Sequence, residues 1–135
     1  MDYSYFRHDA DIGIVGTGPT IEAAFESAAR GVFAIAADLK TVARQVHVDV
    51  AFDEDDLELA LVLWLNRLLG EANARGVVLR EFQLRRDGNH WSGRAWGQHW
   101  TPDMPRGVEV KGATLTMLSV RQGDSSWEAR CIVDV

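Results

Sequence analysis

A chain of 135 residues is long enough for one domain with a sizeable core and too short for two ordinary ones. Its hydrophobic share of 47% and charged share of 25% are those of a globular protein, which excludes general disorder. The formal net charge of −6 argues against a protein whose main task is to grip phosphate backbone, because such proteins carry a basic surplus that displaces counterions.

The opening residues, MDYSYFRHDAD, have neither the basic nor the apolar region of a signal peptide, and no apolar run approaches the roughly 20 residues that span a bilayer. A single cysteine, Cys131, leaves no internal disulfide and suits a reducing compartment. The expectation is a cytoplasmic protein with no membrane contact. No repeat, low-complexity tract or Ser/Gly linker interrupts the chain, so residues 1–135 are read as one domain.

Taken in order, the first residues read as strand and lead into a helix that begins near Thr20, a good N-cap. Ile21, Phe25, Ala28, Val32 and Ile35 then form one stripe, and Glu22 suits the positive end of the helix dipole. Val46, Val48, Val50 and Phe52 alternate as in a strand with one buried face. A second helix follows Asp53, with Asp56 three residues on. It carries Leu57, Leu61, Trp64, Leu65, Leu68 and Ala72 at helical spacing, and Gly76 stands where a glycine would end it.

Asp87-Gly88 between two apolar-containing runs predicts a two-residue hairpin. The segment from Trp100 to Gly107, with Pro102 and Pro105, reads as an exposed loop. Gly123-Asp124 marks another turn before Trp127, Ala129, Cys131 and Val133 alternate. The resulting order is strands, helix, strand, helix, then a run of four strands. It predicts an α+β fold of two layers, a largely antiparallel sheet with both helices packed on one face.

Each chemical motif competes with a plainer explanation. The stretch Gly13-Ile14-Val15-Gly16-Thr17-Gly18-Pro19-Thr20 imitates a dinucleotide fingerprint, with Asp38 about 20 residues further on. The third glycine position is Ile21, however, and no succession of βαβ units follows. Asp53-Glu54-Asp55-Asp56 lacks the ligand spacing and mid-loop glycine of a calcium hand, and is explained by helix capping. The histidines are scattered, and His8, His90 and His99 read as surface or strand-end residues. No G-x-S-x-G elbow is present. Cys131 reads as an inert buried thiol, Trp64, Trp91 and Trp127 as core, and Trp96 and Trp100 as exposed side chains available to a partner.

His8-Asp9-Ala10-Asp11-Ile12-Gly13 is less ordinary, and it resembles the opening His-x-Ala-Asp-x-Gly of the archease family. The helix that follows, Pro19-Thr20-Ile21-Glu22-Ala23-Ala24-Phe25-Glu26-Ser27-Ala28-Ala29, is similar to that family's first helix, with Phe33 and Asp38 also in place. Leu63-Trp64-Leu65-Asn66, Ala95-Trp96-Gly97, Val110-Lys111 and the terminal Ile132-Val133-Asp134-Val135 continue the resemblance, in order, over essentially the whole chain. Two positions depart from it. Gln98 stands where an acidic residue is usual, and Thr116 stands where the family has a histidine.

The resemblance implies an accessory factor, itself not an enzyme, for RtcB-type RNA ligases in tRNA splicing or RNA repair. Such a factor promotes guanylylation of the ligase and its multiple turnover. It also implies a divalent metal, expected to be calcium with magnesium or manganese as alternatives, held by Asp11, Asp134 and Val135. His8, Asp38 and Lys111 are candidates for contacts that activate the ligase, and RNA is expected to be met only indirectly or weakly. Residue chemistry agrees in kind, because hard cations take several oxygen ligands. Asp134 also breaks the apolar alternation around it, although solvent exposure alone would explain that. Two other functions compete: a metal-dependent phosphoesterase or nuclease built on Asp11, Asp38 and Asp134, and a stand-alone RNA chaperone using Arg85, Arg86 and Arg94.

Overall fold

The computed structural model describes residues 2–135. Strand β1 (Tyr3–His8) turns tightly into β2 (Asp11–Gly18), and helix α1 (Ile21–Ala36) follows. A 3-10 turn (Leu39–Thr41) leads to β3 (Val46–Asp53) and helix α2 (Leu57–Arg75). Strands β4 (Val77–Asp87), β5 (His90–His99), β6 (Gly112–Ala113), β7 (Ser119–Gln122) and β8 (Trp127–Asp134) complete the chain.

Local signals behave as their chemistry requires. The Thr20 side chain accepts the Ala23 N–H at 3.0 Å and starts α1. Helix α2 starts at Asp56, whose carboxylate accepts the N–H groups of Glu58 and Leu59 at 2.9 and 3.0 Å. Asp53 still belongs to β3 and meets His90 Nδ1 at 2.7 Å. Gly76 ends α2 in the left-handed region, φ 66°, which favours a residue without Cβ. The hairpin after β4 forms as expected, but Asp87 pairs with His90, so its two loop residues are Gly88 and Asn89.

All strand pairings are antiparallel. The α+β class holds, with the strands divided between two sheets. One has the order β1-β2-β8-β6 with β7 also paired to β8, and the other has the order β3-β5-β4. Five strands, one of them the two-residue β6, follow α2 instead of four. Helix α1 lies against β2 and β8 of the first sheet and β4 of the second, while α2 contacts β3 and β4 of the second and β6 and β7 of the first. The helices therefore bridge the two sheets.

The stripes read from the sequence are the core: Phe25, Ala28 and Val32 of α1 and Leu61, Trp64, Leu65 and Leu68 of α2 are buried. Phe25 stacks on Trp91 at 5.2 Å between ring centroids, Trp91 stacks on Phe52 at 6.0 Å, and the Trp64 indole N–H donates to the Phe25 carbonyl at 3.0 Å. Trp127 departs from expectation: it is half-buried, because it opens β8 opposite Gly18, the last residue of β2, where the sheet runs out. Trp96 and Trp100 are half-buried under the guanidinium groups of Arg44 and Arg106, at 4.4 and 4.0 Å from the ring centroids.

The glycines after β2 serve packing. A Cβ on Gly16 would lie 2.5 Å from the Ala24 carbonyl oxygen and the Ala28 nitrogen, so glycine is what lets α1 close onto the strand. The fingerprint-like spacing is explained by that approach, without a nucleotide.

Two outcomes test the core. Trp64→Ala removes a side chain with 0% exposure and a buried hydrogen bond, and should cost about 3–5 kcal/mol in denaturant unfolding. A loss under about 1 kcal/mol would contradict this packing. Cys131 is buried, and burial pushes its thiol up to about 12. Alkylating reagents at pH 8 should leave the native protein unlabelled and modify Cys131 only after unfolding.

Candidate functional site at the end of the β2 and β8 strand pair

Strands β2 and β8 run antiparallel, with Ile12 opposite Val133 and Gly18 opposite Trp127. One further step along that register sets Asp11 across from Asp134. Opposed antiparallel residues project to the same face with Cβ atoms about 4.5–5.5 Å apart. Two carboxylates from opposite ends of the sequence thus meet at one sheet edge, Asp11 half-buried and Asp134 exposed.

Neighbouring elements complete the edge. His8 pairs with Asp11 across the β1–β2 turn, whose tip residue Asp9 has φ 52°. The His8 Nδ1 atom is buried and has no hydrogen-bond partner among the described residues. On the other side of β8, Gly112 pairs with Asp134, and the Lys111 N–H donates to the Asp134 carbonyl at 2.8 Å. Lys111 is exposed and stands immediately before β6, not within a strand as expected. Val135 follows directly and is half-buried against the core.

On the same face as Asp11, the Phe6 ring covers Gly13, where a Cβ would meet ring atoms at 2.2 Å. The Arg130 guanidinium lies 5.0 Å from the Phe6 ring centroid. Beside the edge, a cleft of about 650 Å³ between the β1–β2 hairpin and α1 is lined by Tyr5, Arg7, Asp9, Asp11, Ala34 and Ile35, among others.

The structure thus brings His8, Asp11, Lys111, Asp134 and Val135 to one edge. Asp38 is not shown there. It caps the 3-10 turn after α1, where its carboxylate accepts the Lys40 N–H at 3.2 Å, and it does not line the cleft beside Asp11. Gln98 lies in the other sheet, where its side chain accepts the Ala43 N–H at 2.6 Å. Thr116 follows β6, and its carbonyl accepts the Ile132 N–H at 3.3 Å. The Phe6–Gly13–Arg130 face and the hairpin at Asp9-Ala10 escape a reading of the sequence. Only the cross-strand register reveals them.

As a cation site this edge is right in donor type and short in donor number. Carboxylates suit calcium, magnesium or manganese more than softer metals. Among the described residues, however, no three His, Cys, Asp or Glu side chains converge to enclose an ion. A hard cation taking six to eight oxygens, as calcium does, would draw the remainder from carbonyl groups, water or another molecule. Among the described residues no helix is long and apolar enough to cross a membrane.

Comparison with known proteins accounts for the arrangement. The model of the Archease protein family matches residues 3–135. The protein archease of Sulfolobus acidocaldarius is 32% identical over 136 residues, covering 98% of this chain and 98% of that protein. The solution structure of protein 1598 of Methanobacterium thermoautotrophicum superposes with a TM-score of 0.86 at 25% identity, covering 99% of each chain. A crystal structure from Thermotoga maritima, described as an archease and possible chaperone, shares the fold with a TM-score of 0.68 at 16% identity, covering 96% of this chain and 94% of that one. With its family model matched over residues 3–135 and its strands β2 and β8 paired, this chain belongs to the archease family.

Proposed function

We propose that this protein is a non-catalytic, metal-binding activator of an RtcB-type RNA ligase, promoting guanylylation and multiple turnover of that enzyme in tRNA splicing or RNA repair. The observation that carries the proposal is the β2–β8 register, which, carried one step past Ile12 and Val133, sets Asp11 opposite Asp134 at the end of that strand pair. A pair of carboxylates there makes half a coordination shell, which suits a cation shared with a partner better than one sealed inside the chain. Family membership supports an accessory role, as does the Thermotoga maritima archease described as a possible chaperone.

A divalent cation held by Asp11, Asp134 and the Val135 carbonyl, with calcium favoured, would neutralise the two carboxylates and offer open positions to phosphate oxygens. The chain's own residues set the geometry: β2–β8 pairing fixes the spacing of the carboxylates, and the Lys111 ammonium on its flexible stem can reach a nucleotide phosphate. His8 pairs with Asp11 across the β1–β2 turn, which places its ring beside the proposed cation.

Hydrolysis at this edge is disfavoured, because two-metal chemistry needs a denser donor cluster and Asp38 is engaged as a cap. Direct gripping of RNA is disfavoured as well. Arg94 is paired with Asp49 at 2.7 Å, and Arg86 bonds the Gly88 carbonyl and lies over Trp91, which leaves Arg85 as a weak footprint.

Opposed like charges destabilise a strand pair. Asp11→Asn in metal-free, low-salt buffer should therefore leave stability unchanged or raise it by a few tenths of a kcal/mol. Added calcium should stabilise the wild type by mass action and leave the variant unmoved, as read by thermal unfolding. Identical calcium responses would remove Asp11 from the site.

For the activity itself, wild type, Asp11→Ala and Lys111→Ala are each added to the cognate ligase with GTP and divalent metal, and the covalent enzyme–GMP adduct is followed. Wild type should stimulate, Asp11→Ala should not, and Lys111→Ala should be impaired. Equal stimulation by all three would refute the site, and no stimulation by wild type would reject the activator role.

A further inference from the structure

We infer that the loop carrying Leu115 and Met117, between β6 and β7, is an apolar anchor that seats in a hydrophobic socket on the protein partner beside the Asp11–Asp134 edge. The inference rests on the ligase-activator reading and names the surface by which that partner is held.

Leu115 is 64% exposed and Met117 50% exposed, the most exposed large apolar side chains of the described residues together with Val108 at 50%. Two such side chains separated by one residue form a knob. The backbone beneath them is firmly held. The Asn66 side-chain amide takes both main-chain groups of Ala113, accepting its N–H at 2.8 Å and donating to its carbonyl at 3.2 Å. The Thr114 N–H and hydroxyl both donate to the Ile132 carbonyl at 2.9 Å. The Thr116 N–H donates to the Thr114 hydroxyl at 3.2 Å, and the Thr116 carbonyl accepts the Ile132 N–H. A loop tied at Ala113, Thr114 and Thr116 projects its side chains from a fixed base.

Met117 adopts φ 51°, a region where glycine or asparagine would be cheaper. A large apolar residue kept there in solvent carries a conformational cost and an exposure cost together, and local folding explains neither.

The surroundings decide the partner's chemistry. Residues 112–120, Gly-Ala-Thr-Leu-Thr-Met-Leu-Ser-Val, contain no charge, in a chain of which 25% is charged. RNA, nucleotide phosphates and lipid headgroups are all met by cationic surfaces, so a neutral apolar knob fits a protein socket. Its position is continuous with the candidate site. The strand that opens the loop pairs Gly112 with Asp134, so the carboxylate edge and the knob sit on one ladder. A partner reaching a cation at Asp134 would cover Leu115 and Met117 in the same approach.

The test uses the full-length protein and its cognate ligase. Affinities of wild type, Leu115→Asp, Met117→Asp, the conservative Leu115→Met, and the remote Gln83→Asp are measured by calorimetry, with unfolding midpoints and calcium responses recorded for each. Leu115→Asp and Met117→Asp should each weaken binding by about tenfold or more with midpoints and calcium response unchanged. Leu115→Met and Gln83→Asp should bind as wild type does. Wild-type affinity in both aspartate variants overturns the anchor while leaving the activator role standing. Failure of the wild type itself to bind the ligase overturns the activator role and the anchor with it.

Discussion

The pairing of the first long strand with the last is the constraint on which the rest depends. Strands β2 and β8 align over seven residue pairs, and every feature of the candidate site is a consequence of that alignment. A slip of one residue would turn Ile14, Cys131 and Val133 out of the core and swing Asp11 inward. Burial of Ile14, Ala129, Cys131 and Val133 on one face therefore fixes where the two carboxylates stand. The site's geometry is determined by hydrophobic packing on the opposite side of the same strands.

The second sheet is held to the first through aromatic contact. Phe25 of α1 stacks on Trp91 of β5, and its carbonyl takes the Trp64 indole N–H of α2, so one residue couples both helices and the far sheet. Gly93 leaves the space that the Trp64 ring occupies, since a Cβ there would approach the ring to 2.4 Å. Burial satisfies the one polar atom of Trp64 and so carries no desolvation cost beyond the bond itself. Such a nexus also makes the outer face of β3, β4 and β5 independent of the Asp11–Asp134 edge. Its charges are largely matched in pairs, Arg94 with Asp49 and Arg44 with Glu81.

What the sequence made legible was local. Thr20, Gly76 and the hairpin at Gly88, one residue on from the expected Asp87-Gly88 pair, announce themselves because capping and turn chemistry act within a few residues. The buried stripes were equally plain, since periodicity alone places Phe25, Val32, Leu61 and Trp64. Division of the strands into two sheets was not legible, because it rests on which distant strands pair. The two-residue β6 lies below any periodic signal and depends on Asn66 reaching Ala113 from α2. The Asp9-Ala10 turn carries no glycine, and its only compositional sign is Asp9, a residue type that tolerates positive φ. For the site, Asp11 and Asp134 were named by resemblance to a family. Residue type alone favoured solvent exposure for Asp134, which is in fact exposed. Asp38 is named by the same resemblance, and its carboxylate caps the 3-10 turn away from the cleft beside Asp11.

The edge departs from sheet design in several ways at once. Extending the β2–β8 register sets two carboxylates opposite each other, a ring nitrogen of His8 is buried with no partner among the described residues, and Met117 holds a positive φ that its side chain rarely adopts. Each departure alone is a modest cost of the kind many folds tolerate. Elsewhere both helices are capped, Gly16 and Gly93 make room for close approaches, and the Trp64 and Trp91 indole N–H groups are bonded. Several such costs gathered on one sheet are what the proposed cation and partner would offset. The proposed cation would neutralise the opposed carboxylates, and the proposed partner surface would cover the exposed leucine and methionine. The β8–β6 ladder joins the two features, so a single partner bringing both would relieve them together.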